Sequence, residues 1–306
     1  MSVQLYLINP LLRFSVKRHF RKNPDLMELR AIMAGVRPPR VPRRIQLTQT
    51  SLGAVASELL TASGASAAHA ILYIHGGGWV AGSPASHRPI TWRLAEQAGV
   101  PVHAIDYRLA PEHPFPAGLD DCVAAYRALL DLGLRADAIV VGGDSAGGNL
   151  TLALALKLKD LGLPQPAALF CLSPLTDFAD LGASRTTNAK SDAMFDPRSF
   201  ATVAQHYFPG HDPRDPLLSP CQGDVKGLPP TLFQVSGAEM LRGDSVLMEQ
   251  KMRAAGIDTT IEIWPGVAHV WQVTADILPE GRAAIAKIAT FIKKQLKIQG
   301  APCANC

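Results

Sequence analysis

Ile139-Val140-Val141-Gly142-Gly143-Asp144-Ser145-Ala146-Gly147-Gly148-Asn149 is the stretch that decides how this chain is built. A β-branched apolar run stops at glycine, and the residues after Ser145 repeat their apolar members every three or four positions. That pattern reads as strand, sharp turn, helix. Inside it, Gly143-Asp144-Ser145-Ala146-Gly147 is a G-x-S-x-G. A hydroxyl on so tight a corner is lifted clear of the sheet, and its neighbours two residues away must be very small; both are Gly. The helix start behind it supplies backbone N–H groups and partial positive charge. A glycine-rich turn without chemistry is the bland alternative, and the flanking strand and helix argue against it.

Outward from this turn, strand-like and helix-like segments alternate from Arg44 onward, the mark of an α/β chain with a mostly parallel sheet flanked by helices. Strands are expected at Ile45–Leu47, Ala54–Leu60, Ala70–Ile74, Val102–Ile105, Ile139–Val141, Ala168–Leu172, Thr231–Val235 and Thr260–Ile263. Helices are expected at Ser86–Gln97, Gly118–Leu130, Ala146–Leu161, Ser245–Ala255 and Glu280–Leu296. Two segments break the alternation. Residues 1–43 read as amphipathic helices, and residues 177–220, rich in Asp, Pro, Ser and Thr, read as an insertion. Together they are expected to form a helical cap over a core made of residues 44–176 and 221–298, with 299–306 as a tail.

His75-Gly76-Gly77-Gly78-Trp79 directly follows the strand Ala70–Ile74. Glycines let backbone N–H groups approach a developing oxyanion without a Cβ in the way. Gly76 and Gly77, with Ala146, are the candidate oxyanion hole. A serine also needs a base. His269 follows the last expected strand, where a loop returns it over the sheet edge. His75 more plausibly orders the glycine loop; His87, His103, His113, His206 and His211 read as surface, core or cap residues. The acid that orients the imidazole is sought after the strand Thr231–Val235, where Glu239 and Asp244 compete. Glu239 lies just past the strand end and is favoured. Asp244, beside Ser245 at an expected helix start, reads as a cap and remains the alternative acid. Asp106 and Arg108 are placed to pair within a proline-stiffened loop.

These motifs, with Asp106-Tyr107-Arg108-Leu109-Ala110-Pro111-Glu112, together resemble the bacterial hormone-sensitive-lipase-like (family IV) esterases, in the same order and with similar separations from about Ala70 through His269. The resemblance implies an eight-stranded α/β-hydrolase fold, an amino-terminal helical cap, no cofactor and a preference for short acyl chains. It also implies that the Asp106–Pro116 segment supports the oxyanion loop. The lipase-like relatives usually carry an Asp-Pro-Leu-like acid motif; here Glu239-Met240-Leu241 stands in its place. The implied activity is carboxylic-ester hydrolysis, with an aryl formamide or amide as the other bond the same residues would serve. A non-catalytic binding module on this fold is the remote alternative, disfavoured by the presence of His269. A neutral His269 acting as base predicts an acid-side fall in kcat/KM at an apparent pKa of roughly 6–7.

Composition narrows the partners. Hydrophobic residues make up 47% and the formal net charge is only +4, which suits a large core and gives no basic footprint for nucleic acid. Arg37, Arg40, Arg43 and Arg44, interleaved with Pro38, Pro39 and Pro42, read as a solvated linker. No apolar run reaches the ~18 residues that span a bilayer, and Met1–Phe20 carries Arg13, Lys17 and Arg18 without a signal-like core or cleavage site. The expectation is a cytoplasmic enzyme of a small-molecule ester, without membrane insertion, with a homodimer through an edge strand or the last helix compatible with the pattern. Among five cysteines, Cys122 and Cys171 read as buried free thiols, and the Cys303/Cys306 pair lacks the further ligands a zinc site needs, so no metal is expected. Trp79, Met194, Phe195 and Tyr207 are candidates to line a pocket.

Overall fold

A computed structural model of the chain describes residues 2–18, 28, 30–31, 38–179 and 182–298. Eight strands form one sheet: β1 (Ile45–Leu52), β2 (Val55–Ala62), β3 (Ala70–Ile74), β4 (Val102–Ile105), β5 (Ile139–Asp144), β6 (Ala168–Leu172), β7 (Thr231–Ser236) and β8 (Thr259–Trp264). Their order is β1-β2-β4-β3-β5-β6-β7-β8. β1 and β2 make an antiparallel hairpin, β2 pairs antiparallel with β4, and every other pairing is parallel. All eight expected strands are present. This is the α/β-hydrolase fold.

Alternate residues of the central strands feed two separate cores. Leu72 and Ile74 of β3, Val141 of β5 and Cys171 of β6 face one; Ile71, Tyr73, Val140 and Phe170 face the other. Side chains two apart share a face of a pleated strand, so a strand buried on both faces must be apolar throughout. The helices sort accordingly. After α1 (Val3–Leu12) come α2 (Arg88–Ala98), α3 (Ala117–Asp131), α4 (Ala146–Asp160), the short α5 (Ser184–Thr187), α6 (Arg198–Tyr207), α7 (Arg242–Ala254) and α8 (Pro279–Gln295). Leu119, Cys122 and Tyr126 of α3, Leu150 and Leu154 of α4 and Met248 and Met252 of α7 pack on the first face. Ile90 and Leu94 of α2 and Ile285, Ile288 and Ile292 of α8 pack on the second.

Register places the chemistry. Ile74 lies opposite Gly143, Asp144 opposite Leu172, Leu172 opposite Gln234, and Ser236 opposite Trp264. The carboxyl ends of β3 and β5–β8 therefore form one edge, and the loops that leave it hold His75–Gly78, Ser145, Ser173, Glu239 and His269.

Two expectations need correction. Helix α7 starts at Arg242, three residues before the expected Ser245, so Asp244 sits in its first turn and the cap position falls to Leu241. Arg108 does not pair with Asp106; its guanidinium meets Asp121 of α3 at 2.7 Å, because that carboxylate also accepts the Arg108 N–H at 2.8 Å. Cys122 and Cys171 are buried free thiols. Cys303 and Cys306, Arg37 and the tail lie outside the described residues. Among those described, no helix is long and apolar enough to cross a membrane and no cluster of His, Cys, Asp and Glu could hold a metal ion.

Leu72 has no exposed surface in the middle of β3. Leu72→Ala is expected to destabilise the protein by about 2–5 kcal/mol, read as a lower urea midpoint at unchanged slope.

Candidate active site

Ser145 is the single residue between β5 and α4, at φ 53° and ψ −116°. That left-handed corner is unfavourable for a residue with a Cβ and persists only where its surroundings hold it. Here Ser145 N–H donates to Leu172 O at 2.7 Å, and Asn149 N–H donates to Ser145 O at 3.0 Å. Asn149 is itself anchored, donating to Leu175 O at 2.9 Å and Leu218 O at 2.8 Å. A Cβ on Gly143 or Gly147 would collide with the Ile74 carbonyl, so the two glycines are there to let β3 and the elbow touch. Ala146 is the first residue of α4, where an N–H has no intrahelical carbonyl to meet.

Glu239 and His269 are brought together, both buried. Glu239 Oε2 accepts from His269 Nδ1, while Oε1 accepts from Ser173 Oγ and from Ser236 N–H, each at 2.7 Å. Ser173 also receives the N–H of Val270 at 3.4 Å. With Nδ1 donating to the carboxylate, the basic lone pair is on Nε2, which is buried and meets no protein group among the described residues. Burial pulls the His269 pKa down, but the charge and hydrogen bond of Glu239 outweigh it, with Asp192 and Asp144 adding to the upward shift. The Phe195 ring packs edge-on against the imidazole at 4.6 Å between centroids.

Asp244, the alternative acid, is engaged elsewhere. It pairs with the buried Arg185 at 2.8 Å and accepts the N–H groups of Thr176 at 2.9 Å and Asp177 at 3.3 Å. Its role is to fasten the start of the insertion to α7.

For Gly76 the structure also departs from expectation. Its N–H donates to Asp144 Oδ1 at 3.0 Å and is therefore committed to that carboxylate rather than turned to a substrate. Gly77, at φ 122°, adopts a backbone that only glycine enters readily. His75 orders the loop as expected: its Nδ1 donates to Gly76 O at 2.7 Å and its ring stacks on Tyr107. Burial and the neighbouring His87 charge push the His75 pKa down to about 3, so it stays neutral. Tyr107 OH donates to His75 O at 3.0 Å and Ala110 N–H to Trp79 O at 2.9 Å, so the Asp106–Pro116 segment does brace the glycine loop.

The residue that sequence reasoning missed is His87. Its Nε2 lies 3.3 Å from Asp144 Oδ2, and its Nδ1 faces Ser83 O at 3.1 Å and Ser86 Oγ at 2.9 Å. The Ser86 hydroxyl already donates to Ser83 O, so it can only accept from the ring. Both nitrogens are placed to donate, an arrangement that favours the charged ring. Burial opposes this charge, but Asp144 overrides it and raises the pKa; Asp144, despite its own burial, is lowered in turn by His87 and by Tyr73 OH at 2.7 Å. Nothing in the spacing around His87 signals this. Ser173 and Asp192 were missed as well; the second binds the N–H groups of Met194, Phe195 and Met240.

Comparison with known proteins decides the family. Residues 71–273 match the family described as alpha/beta hydrolase fold. An acetyl-hydrolase of Streptomyces hygroscopicus is 44% identical over 223 residues, 73% of this chain and 75% of that protein. Esterase LipU of Mycobacterium tuberculosis is 38% identical over 255 residues, 80% and 85% of the two chains. The crystal structure of an esterase from the bacterial hormone-sensitive lipase family superposes with a TM-score of 0.89 at 40% identity, covering 97% of this chain and 99% of that one. This chain belongs to the hormone-sensitive-lipase-like family of α/β-hydrolase esterases. It is a serine-hydrolase-type carboxylesterase and acts on carboxylic esters.

The His87–Asp144 pair gives this esterase a pH signature. A raised histidine pKa adds stability that is fully present below the unfolded value and lost as pH rises through the folded one. Thermal unfolding should show Tm falling on the alkaline side of histidine's usual range. His87→Gln should flatten that slope and, by leaving the Asp144 carboxylate uncompensated, destabilise by about 3 kcal/mol or more. Parallel slopes in the two proteins would refute the ion pair.

Proposed function

We propose that this carboxylesterase cleaves short-chain acyl esters through Ser145, Glu239 and His269 by way of an acyl-enzyme. The observation that carries the reading is the Glu239–His269 pair. The carboxylate fixes the ring with Nδ1–H toward itself and leaves a buried Nε2, without a partner among the described residues, at the sheet edge that also bears the Ser145 elbow. His269 Nε2 takes the Ser145 proton as Oγ attacks the ester carbonyl. Charge moves onto the carbonyl oxygen, and the N–H groups of Gly77 and Ala146 receive it. The imidazolium, stabilised by Glu239, returns the proton to the leaving alcohol. Water then attacks the acyl carbon with His269 again as base, and Ser145 leaves with its proton restored.

Preference for a short acyl group is supported by the acetyl-hydrolase relative and by aromatic packing beside the oxyanion loop. Trp79 stacks on Tyr207 at 4.5 Å and meets Phe178 at 5.4 Å. Trp79 and Tyr207 are buried and Phe178 is half-buried, so the space beside the glycine loop is packed with rings. The first-helix segment and the 177–220 insertion act as the cap: Arg13 donates to Ser191 O at 2.7 Å, and Lys17 to Ala189 O and Asp192 O, each at 2.6 Å.

Ser145→Ala should abolish hydrolysis of p-nitrophenyl acetate and butyrate, a loss of roughly ten-thousand-fold or more in kcat, with Tm little changed. Turnover surviving at wild-type level would sink the assignment. In the wild type, kcat/KM should fall as pH is lowered through the His269 pKa. Because Glu239 shifts that pKa upward, the midpoint should lie above the ordinary histidine value of about 6.5. Glu239→Gln removes the charge responsible, so it should lower the midpoint and cut kcat by several orders of magnitude; a midpoint that stays put would assign the limb to another group.

A further inference from the structure

Helix α1 sits on the molecule with its apolar side outward. Val3, Tyr6, Leu7, Pro10, Leu11 and Phe14 recur at helical spacing and form one stripe. A surface helix ordinarily turns such a stripe to the core. Here Val3, Tyr6, Leu7, Leu11 and Phe14 keep between 63% and 76% of their surface exposed, and they are five of the ten large exposed hydrophobics among the described residues. The opposite side of the helix is the fastened one. Leu5 is buried with Val267, Trp271, Leu278 and Ala284, and Asn9 donates to Gly266 O at 2.7 Å. Ser2 donates through its N–H and hydroxyl to Glu280 at 2.6 and 2.8 Å. The helix is held by its polar and narrow side, so the outward stripe is a fixed feature of the surface. Concentrated exposure of this kind marks a contact surface.

Charge selects the occupant. The first 24 residues contain Arg13, Lys17, Arg18, Arg21 and Lys22 and no Asp or Glu; of these, Lys17 is turned inward onto the Ala189 and Asp192 carbonyls and is not offered to the surface. Arg13 and Arg18 are exposed at the end of the stripe, the Arg18 guanidinium 5.4 Å from the Phe14 ring centre. A second copy of the chain docking stripe to stripe would set two such cationic segments against each other. An anionic lipid surface satisfies both halves, taking the apolar side chains into the acyl boundary and the cations at the head groups. We propose that α1 is an interfacial helix that seats the enzyme on an anionic lipid–water interface, lying in its plane without crossing it. The fastening points lie on the loop that carries His269, at the start of α8 and, beyond α1 itself, on the 189–192 segment, so the seated enzyme holds the His269 loop beside the lipid. Docking itself does not depend on the ester-hydrolysis reading, and its test has a separate readout.

The full chain is floated with vesicles of equal parts phosphatidylglycerol and phosphatidylcholine, or of phosphatidylcholine alone. The expected result is at least about tenfold more protein on the anionic vesicles, an excess that falls as salt is raised. The triple variant Leu7→Gln, Leu11→Gln, Phe14→Gln should lose binding by about tenfold or more, while keeping wild-type turnover of soluble p-nitrophenyl acetate, which shows the fold intact. Arg18→Glu, a single surface change, should weaken binding in the same assay. Equal flotation on both vesicles, or by wild type and triple variant, overturns the proposal. So does a wild-type dimer in sedimentation that the triple variant dissolves with no vesicle binding, since that identifies the stripe as a self-association face.

Discussion

The close approach of the Ile74 carbonyl to the turn after β5 is the constraint on which the rest of the molecule depends. It leaves no room for a Cβ at Gly143 or Gly147 and forces the chain to reverse at Ser145 in a left-handed conformation. Such a residue carries about 1–3 kcal/mol of strain, and the neighbouring strand opposes relaxation through the Leu172 carbonyl. Among the described residues, the other non-glycine positions of positive φ are Trp79, Ser173, Val270 and Lys297. Three of those four lie in loops leaving the same sheet edge, beside the glycine loop, under Glu239 and next to His269. Strain is therefore concentrated where loop direction must be fixed, and the two apolar cores beneath the strands hold it in place.

Two buried histidine–carboxylate pairs flank this corner, and the far ring nitrogen decides which of them suits the proposed role of base. In both, the carboxylate raises the histidine pKa against burial. At His269 the second ring nitrogen meets no protein group among the described residues, so a lone pair is available once the ring is neutral. At His87 the second nitrogen is turned to Ser83 and Ser86, so both ring nitrogens are occupied and the charged form, favoured by Asp144, acts as a counterion and not as a base. Asp144, balanced by that cation, can accept the Gly76 N–H and the Tyr73 hydroxyl without a net buried charge, and in doing so ties the elbow to the glycine loop. The partner of the far nitrogen, not the carboxylate, separates the roles.

The fold was legible because burial on both faces leaves a plain record: β3, β5 and β6 are unbroken apolar runs ended by turn residues. The tight turn at Ser145 was legible because a steric rule links it to glycines at fixed spacing, and the carboxylate that meets His269 because the pairing strand ends only a few residues before Glu239. His87 and Ser173 were not. Their partners are 57 and 66 residues away in sequence by the numbering of Asp144 and Glu239, and no local pattern encodes which side chains meet across a sheet edge. Gly76 misled for a related reason. A glycine announces that backbone can approach something closely, but only the folded arrangement shows that its N–H approaches Asp144.

The insertion is coupled to Glu239, the proposed acid, more tightly than a swinging lid would be. Asp192 receives the N–H groups of Met194 and Phe195 from the insertion and of Met240 from the acid loop, and its backbone carbonyl receives Lys17 from the first segment. Asn188 donates to the carbonyls of Gly237 and Glu239 at 3.2 and 2.8 Å, and Arg185 is bound to Asp244 on α7. Each of these side chains is anchored on both sides of the boundary between insertion and core. Shifting the insertion as a body would therefore strip polar partners from the loop that presents Glu239, a penalty of about 1–3 kcal/mol for each buried group left unpaired. Phe195, held at its backbone N–H by Asp192, brings its ring edge against His269, so the imidazole is packed by the same anchored segment.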